Sequence, residues 1–200
     1  MARLSLSKAQ LAHEKANLVM FRRYLPSLDL KRKQLMAERK KAETRQAEIA
    51  AAVAERIAQI GAEIPMLADA DIDLDGLATL RSVRLGERNL VGQRLPVVEE
   101  IEVDIAPYGY LNRPHWVDLV AERLIEVLRL RIEAQVIARQ IELLDAAVTT
   151  VTQRVNLFDK VLIPRAQSNI RRIQIALSDQ ERSAVVTSKI AKRKREEAQA

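Results

Sequence analysis

The residues of this sequence best suited to hold a metal ion are three alternating aspartates in the middle of the chain. Asp71, Asp73 and Asp75 precede Gly76, and this spacing matches the start of a calcium-binding EF-hand loop. Such a loop is completed by a glutamate at its twelfth position, which supplies two oxygen ligands. In this chain the twelfth position is Ser82. We therefore predict an acidic, solvated loop and no metal site.

Nucleotide binding and catalysis are the other chemistries to consider. A phosphate-binding loop needs a Gly-rich turn that ends in Lys followed by Ser or Thr, whereas the closest segment, Gly86 to Gly92, is followed by a Gln-Arg pair. His13 and His115 are the only histidines, and the sequence arranges no acidic or Ser partner around either. The absence of cysteine excludes thiol chemistry and disulfides. We predict no catalytic residue, no cofactor and no enzymatic activity of the chain by itself.

Basic runs raise the question of nucleic-acid binding. They are Lys31-Arg32-Lys33, Arg39-Lys40-Lys41 and Lys192-Arg193-Lys194-Arg195. Acidic residues alternate through the same segments, and no aromatic residues interleave to stack on bases. We predict instead a basic, solvated surface that faces an acidic or polar sleeve, and no nucleic-acid partner.

The elements that carry these residues are mostly helical, because about half of the chain is Ala, Glu, Lys, Arg or Leu. Ser7 and Gln10 form a capping-box pattern at the start of the first helix. Apolar residues then recur every three, four or seven positions, as in a coiled coil. This N-terminal stripe consists of Leu11, Leu18, Phe21, Leu25, Leu28, Leu35, Ala42, Ile49, Val53, Ile57, Ile60 and Ile64. Pro65 is predicted to end the helix.

A second stripe follows Pro114, a residue that suits the first turn of a helix. Alternating steps of three and four residues from Val120 reach an apolar residue at every position except Arg123. A run of this length is a specific signal for a helix. This C-terminal stripe consists of Val120, Val127, Leu130, Ala134, Ile137, Ile141, Leu144, Val148, Val151, Val155, Phe158 and Leu162. It resumes one residue out of step at Ile163, Ala166, Ile170, Ile173 and Leu177.

The two stripes predict an all-α fold, a long antiparallel two-helix coiled coil with a small inserted β-hairpin. The predicted segments are an N-terminal coiled-coil helix at 1–64, an acidic insert with the hairpin at 65–113, and a C-terminal coiled-coil helix with a basic tail at 114–200. Each stripe needs an apolar partner, and the nearest is the other stripe. Two long helices separated by such an insert fold back as an antiparallel pair, with the insert at the turn.

The insert reads as a short hairpin because β-branched or alternating runs are punctuated by Gly and Pro. The runs are Val83–Leu85, Leu90–Val91 and Val97–Val103. We also predict a helical turn at Leu74–Leu80 and a packing role for Trp116 between the insert and the second helix.

Pro26 and Pro164 each remove one backbone hydrogen bond inside a long helix, so each is predicted to bend it. Two bends at the same level would let the paired helices curve together. We therefore predict a register that pairs Pro26 with Pro164 and Ile49 with Ile141.

Several motifs resemble those of the D-subunit family of V/A-type ATPases, in order along nearly the whole chain. The most specific stretch contains Arg154, Val155 and Asn156, followed by Ile163 and Pro164. The other matching residues are Leu30, Lys31, Arg32 and Leu35 at the front, Gly92 and Pro96 in the insert, and Glu181 and Arg182 in the tail.

This resemblance implies a non-catalytic rotor axle in the central stalk of a rotary ATPase. The implied partners are the A and B subunits of the catalytic head, the F subunit of the stalk and a funnel-shaped subunit that leads to the membrane ring. No run of about 18 apolar residues or signal-peptide pattern occurs in the sequence. We therefore expect a cytoplasmic protein, without direct membrane insertion, that is held at the inner face of the cell membrane through its partners.

Two other functions are compatible with the pattern of stripes and charges. A cytoplasmic coiled-coil scaffold, or an export chaperone of the secretion or flagellar type, would explain the helices but not the Arg-Val-Asn and Ile-Pro motifs. A basic nucleic-acid-binding protein is the third interpretation.

Overall fold

The computed structural model describes residues 5–68, 74, 76–107, 114 and 116–199. The predicted acidic loop with Asp71, Asp73 and Asp75 and the histidine His115 lie outside the described residues.

The elements follow each other along the chain as a helix, a hairpin and a long interrupted helix. They are α1 (Lys8–Glu63), a 3-10 turn (Pro65–Ala68), β1 (Ala78–Leu90), β2 (Gln93–Ile105), α2 (Trp116–Leu157), a π-helical turn (Phe158–Leu162) and α3 (Ile163–Gln199). The chain is thus mostly helical with a small two-stranded sheet, and the predicted long C-terminal helix is confirmed. At the start of α1 the Ser7 hydroxyl accepts a hydrogen bond from the Gln10 backbone N–H at 3.2 Å, as the capping pattern predicts.

The hairpin is an antiparallel pair whose strands are joined by a two-residue turn. Leu90 pairs with Gln93, so Val91 and Gly92 form the turn between them. Both turn residues have positive φ, 51° and 81°, which is the conformation that twists correctly into the flanking strands. The Asn89 side-chain oxygen accepts a hydrogen bond from the Gly92 N–H at 3.0 Å. The turn therefore depends on a left-handed backbone at two adjacent positions.

Replacing Gly92 by alanine is expected to destabilise the hairpin by about 1 kcal/mol, because a Cβ disfavours positive φ. Gly61→Ala is the matched control. Gly61 lies within α1 and a Cβ there would meet no atom within 4 Å, so alanine should stabilise the protein by roughly 0.5–1 kcal/mol. Urea unfolding of both variants measures the two effects, and equal shifts of the same sign would contradict this account of the turn.

The predicted helical turn at Leu74–Leu80 is wrong, because Ala78, Thr79 and Leu80 begin β1. These three residues pair with Ile105, Asp104 and Val103 across the sheet. Pairing with a partner strand outweighs local helical propensity, which is a weak preference in short segments. The hairpin is correspondingly longer than the sequence predicted, with 13 residues in each strand.

The fold divides into two units. The hairpin unit comprises residues 33–149, and the terminal unit comprises residues 1–32 and 150–200. The hairpin unit contains a compact apolar cluster at the point where α1 ends and α2 begins. Its buried members are Ile64, Leu77, Trp116, Val117, Val120 and Ala121. Trp116 joins the insert residue Leu77 to the helices, which agrees with its predicted packing role.

Within the hairpin unit, α1 and α2 run antiparallel and are linked by ion pairs. Arg39 Nε lies 2.7 Å from Asp145 Oδ1, and Arg56 Nε lies 3.1 Å from Glu126 Oε2. The predicted register would instead bring these arginines to residues 151 and 134. That register is therefore wrong, since the observed partners lie several residues closer to the start of α2.

The terminal unit is also formed by segments that run antiparallel. Lys8 Nζ lies 3.8 Å from Glu181 Oε1, and the Asn169 side-chain amide donates to Glu14 Oε1 at 3.2 Å. The rings of Phe21 and Phe158 meet edge to face with their centroids 5.5 Å apart. The buried side chains of this unit are Val151, Val155, Ala166 and Ile173. The bends predicted at Pro26 and Pro164 remain predictions, although α1 continues as a helix through Pro26.

Candidate interaction surfaces

A groove of about 660 Å³ lies between β2 and the two helices of the hairpin unit. Its apolar lining includes Leu95, Val97, Val98, Ile101, Val136 and Ile137, and its charged lining includes Glu38, Lys41, Arg45, Arg88, Arg129 and Glu133. The side chains of Lys41, Arg129 and Glu133 form no ion pair or hydrogen bond with other described residues. The groove thus combines apolar walls with charges that are available to a partner.

Three contacts attach the hairpin beside this groove. The Leu95 side chain is buried. The Gln140 side-chain amide donates a 2.5 Å hydrogen bond to the Pro96 carbonyl oxygen, and Arg88 lies 3.8 Å from Glu38. Pro96, a predicted site residue, therefore fixes β2 to α2 through its backbone. Gly92, the other predicted site residue of the insert, forms the turn at the tip.

Some of the predicted interaction residues are packing residues. Leu35 is fully buried in the hairpin unit, and Val155 is buried in the terminal unit. Ile163 is half-buried directly after the π-helical turn. Buried apolar side chains of this kind stabilise the helices and leave little surface for a partner.

Other predicted residues lie on the surface of the terminal unit. Leu30, Arg154, Asn156 and Pro164 are exposed. Lys31 and Arg32 are half-buried, and Arg32 pairs with Asp29 at 2.5 Å one helical turn earlier.

The tail of α3 is the most exposed part of the terminal unit. Glu181 pairs with Lys8, and every residue from Arg182 to Glu197 is exposed. Val185, Val186 and Ile190 are large apolar side chains within this stretch. The predicted site residues Glu181 and Arg182 therefore lie near the start of this exposed stretch, which begins at Asp179.

Metal-ligating side chains form no cluster in the described part of the chain. Across residues 5–68, 74, 76–107, 114 and 116–199, no group of three or more His or carboxylate side chains could hold a metal ion. His13 contacts the side chain of Asn17, one turn along the same helix, at 3.2 Å.

Sequence reasoning missed the groove, since none of the predicted site residues is among its lining residues. The signal available in the sequence was two adjacent apolar residues, Val97 and Val98. Successive strand residues face opposite sides of a regular sheet, yet both of these side chains line the groove. The strand pairing is irregular directly after them, because Leu85 pairs with Val98 and Arg84 pairs with Glu100, which leaves Glu99 as the extra residue of a bulge.

Among the helical residues that the structure describes, no helix is both long and apolar enough to cross a membrane.

Comparison with known proteins identifies the family. The family model of the ATP synthase D subunit matches residues 10–193. The V-type ATP synthase D subunit of Borreliella burgdorferi is 34% identical over 199 residues, covering 96% of this chain and 95% of the relative. The V-type ATP synthase D subunits of Chlamydia pneumoniae and Chlamydia felis are 29% and 30% identical, each over 96% of this chain and over 92% and 94% of the relative. The chain therefore belongs to the ATP synthase D-subunit family.

Proposed function

We propose that this chain is the rotor axle in the central stalk of a V/A-type rotary ATPase or ATP synthase. It would couple ATP synthesis or hydrolysis in the catalytic head mechanically to H+ or Na+ transport through the membrane ring. The observation that carries this proposal is the antiparallel arrangement of long helices within each unit, together with membership of the D-subunit family.

The physical properties of the helices suit an axle. We infer a two-helix coiled coil in which apolar side chains such as Leu35, Val155 and Ile173 fill the contact between the helices. The outer faces are charged and remain soluble without forming permanent apolar contacts. An axle needs this combination because it must transmit torque and still turn inside the head.

The proposed role is non-catalytic, and the partners follow from it. The nucleotide sites would lie on the A and B subunits of the head, while the F subunit of the stalk and a funnel-shaped subunit would connect the axle to the membrane ring. The groove in the hairpin unit, with its available Lys41, Arg129 and Glu133, is a candidate surface for a stalk partner. The complex would hold the chain at the cytoplasmic, inner face of the membrane.

Single-molecule rotation tests the proposal directly. The chain contains no cysteine, so Arg84→Cys in β1, where the side chain is 70% exposed, provides one attachment point for a bead. We expect the bead to rotate in one direction when ATP is added to the complex of this chain with the immobilised head and the F subunit.

The isolated chain serves as the control and should neither hydrolyse ATP nor bind it tightly. A bead that stays still while the complex hydrolyses ATP would refute the axle function and favour a static scaffold. Failure of the chain to bind the A and B subunits at all would favour an export chaperone or another partner.

A further inference from the structure

The two parts of the C-terminal stripe are separated by one residue more than the alternation of three and four residues requires. The alternation of three and four runs through Val151, Val155, Phe158 and Leu162, and the next apolar positions come one residue late, from Ala166 onward. One extra residue in an α-helix rotates everything after it by about 100°. Without compensation, the residues after the step would leave the buried face.

The π-helical turn lies at this step. Its residues are Phe158–Leu162, and the backbone N–H of Ile163 donates to the carbonyl oxygen of Phe158, five residues earlier. A turn closed over five residues holds one more residue than an α-helical turn closed over four. Val155 before the turn and Ile173 after it are both buried. The turn therefore absorbs the extra residue and keeps both parts of the stripe on the packed side.

The same turn is weaker than the helices around it. Pro164 has no N–H, so one more backbone hydrogen bond is missing immediately after the wide turn. Leu157 just before the turn and Val161 within it have exposed side chains, so packing at the turn depends mainly on the contact of Phe158 with Phe21. π-helical turns interrupt regular helices at bends and at functional positions.

We propose that Phe158–Leu162 is a conformational joint, created by a one-residue insertion, at which the helix of the terminal unit flexes between Thr150–Leu157 and α3. The joint requires no partner subunit, so it can be tested on the isolated chain whether or not the axle function is correct. The joint predicts different effects for single-residue deletions. Removing one residue from the π-helical turn should be tolerated, whereas removing one residue from a regular part of the striped helices should not.

The test compares two single-residue deletions in the full chain, both combined with Pro164→Ala so that no proline is left in the C-terminal helical segment after the deletion site. Deletion of exposed Lys160 makes the apolar alternation continuous from Val120 to Leu177. Deletion of exposed Gln135 is the matched control, because it displaces buried Val127 from the phase of buried Leu144. Pro164→Ala alone is the reference.

We expect the Lys160 deletion to keep a cooperative transition with a Tm within about 5 °C of the reference, and the Gln135 deletion to lower Tm by more than about 10 °C. Hydrogen exchange provides the second measurement. In the wild type and the reference, the amides from Val161 to Ile163 should exchange at least tenfold faster than those from Val151 to Val155, as an order-of-magnitude expectation. The Lys160 deletion should abolish that difference.

Two results would overturn the proposal. The first is a Lys160 deletion that unfolds the chain as severely as the Gln135 deletion, since Lys160 would then be an ordinary helical residue. The second is slow exchange in the Pro164→Ala reference, which would assign the flexibility to the proline and not to the inserted residue.

Discussion

Replacing Ile173 by aspartate is expected to lower the free energy of unfolding by more than about 4 kcal/mol. Ile173 is 0% exposed in the terminal unit, and a carboxylate placed there would be buried without a partner. Burial of an unpaired charge is among the most costly single changes in a protein. Urea unfolding followed by circular dichroism measures the loss, and hydrogen exchange of the Ala166 amide locates it in the terminal unit.

Ile175→Asp is the matched control, two residues further along the same helix. Its side chain is 56% exposed, so the same substitution should change the free energy of unfolding by no more than about 0.5 kcal/mol. The pair isolates the buried face of α3 from effects of aspartate on helix propensity. Similar losses in both variants would mean that α3 does not pack through Ile173.

Trp116→Ala should cost about 3–5 kcal/mol, because it leaves a large cavity in the apolar cluster of the hairpin unit. Trp116 is 9% exposed and packs with Ile64, Leu77 and Val120 where α2 begins. Removing the ring therefore weakens the junction that joins the insert to both helices. Thermal and urea unfolding give the size of the effect.

Tyr24→Ala provides the comparison for Trp116→Ala, since it also removes an aromatic ring but from a side chain that is 53% exposed. Its expected cost is less than about 1 kcal/mol. If both substitutions cost the same, the loss would reflect the general effect of removing an aromatic residue and not the cluster.

The sequence was most informative where a periodic pattern extended over many residues and indicated the same secondary structure throughout, or where a local signal such as a glycine marked a turn. The N-terminal stripe and Pro65 predicted a helix ending near residue 64, and α1 ends at Glu63. Gly92 and the β-branched runs predicted the hairpin. Each of these features depends on local chemistry, either a helical repeat or a backbone conformation that favours glycine.

The register of the helices could not be predicted in the same way. Pairing Pro26 with Pro164 assumed that both prolines disturb their helices at one level. In the structure α1 continues through Pro26, whereas the π-helical turn precedes Pro164. The backbone is thus α-helical around one proline and departs from the α-helix just before the other, so the two positions give no common level from which to infer the register. Ion pairs such as Arg39 with Asp145 reveal the register instead, and charged residues are too frequent in this sequence to identify such pairs in advance.

The interaction residues were predicted from motif resemblance, and the structure separates them by exposure. Arg154, Val155 and Asn156 are adjacent in the sequence, yet only Val155 is buried. A helical repeat explains this difference, since neighbouring residues face directions about 100° apart. The groove could not be predicted, because it requires the position of β2 against α1 and α2.

The charges on the hairpin have a consequence for how neighbouring molecules avoid each other in a concentrated solution. A two-stranded sheet has two open edges, and an open edge invites a strand from another chain to add to it and begin an aggregate. Here Arg84 lies 3.3 Å from Glu100, Arg94 lies 3.6 Å from Glu87, and Arg81 lies 3.8 Å from Asp104. A strand added from another chain would bring further side chains against these charges. These ion pairs contribute little to the stability of one molecule, but we expect their charges to disfavour the addition of such a strand.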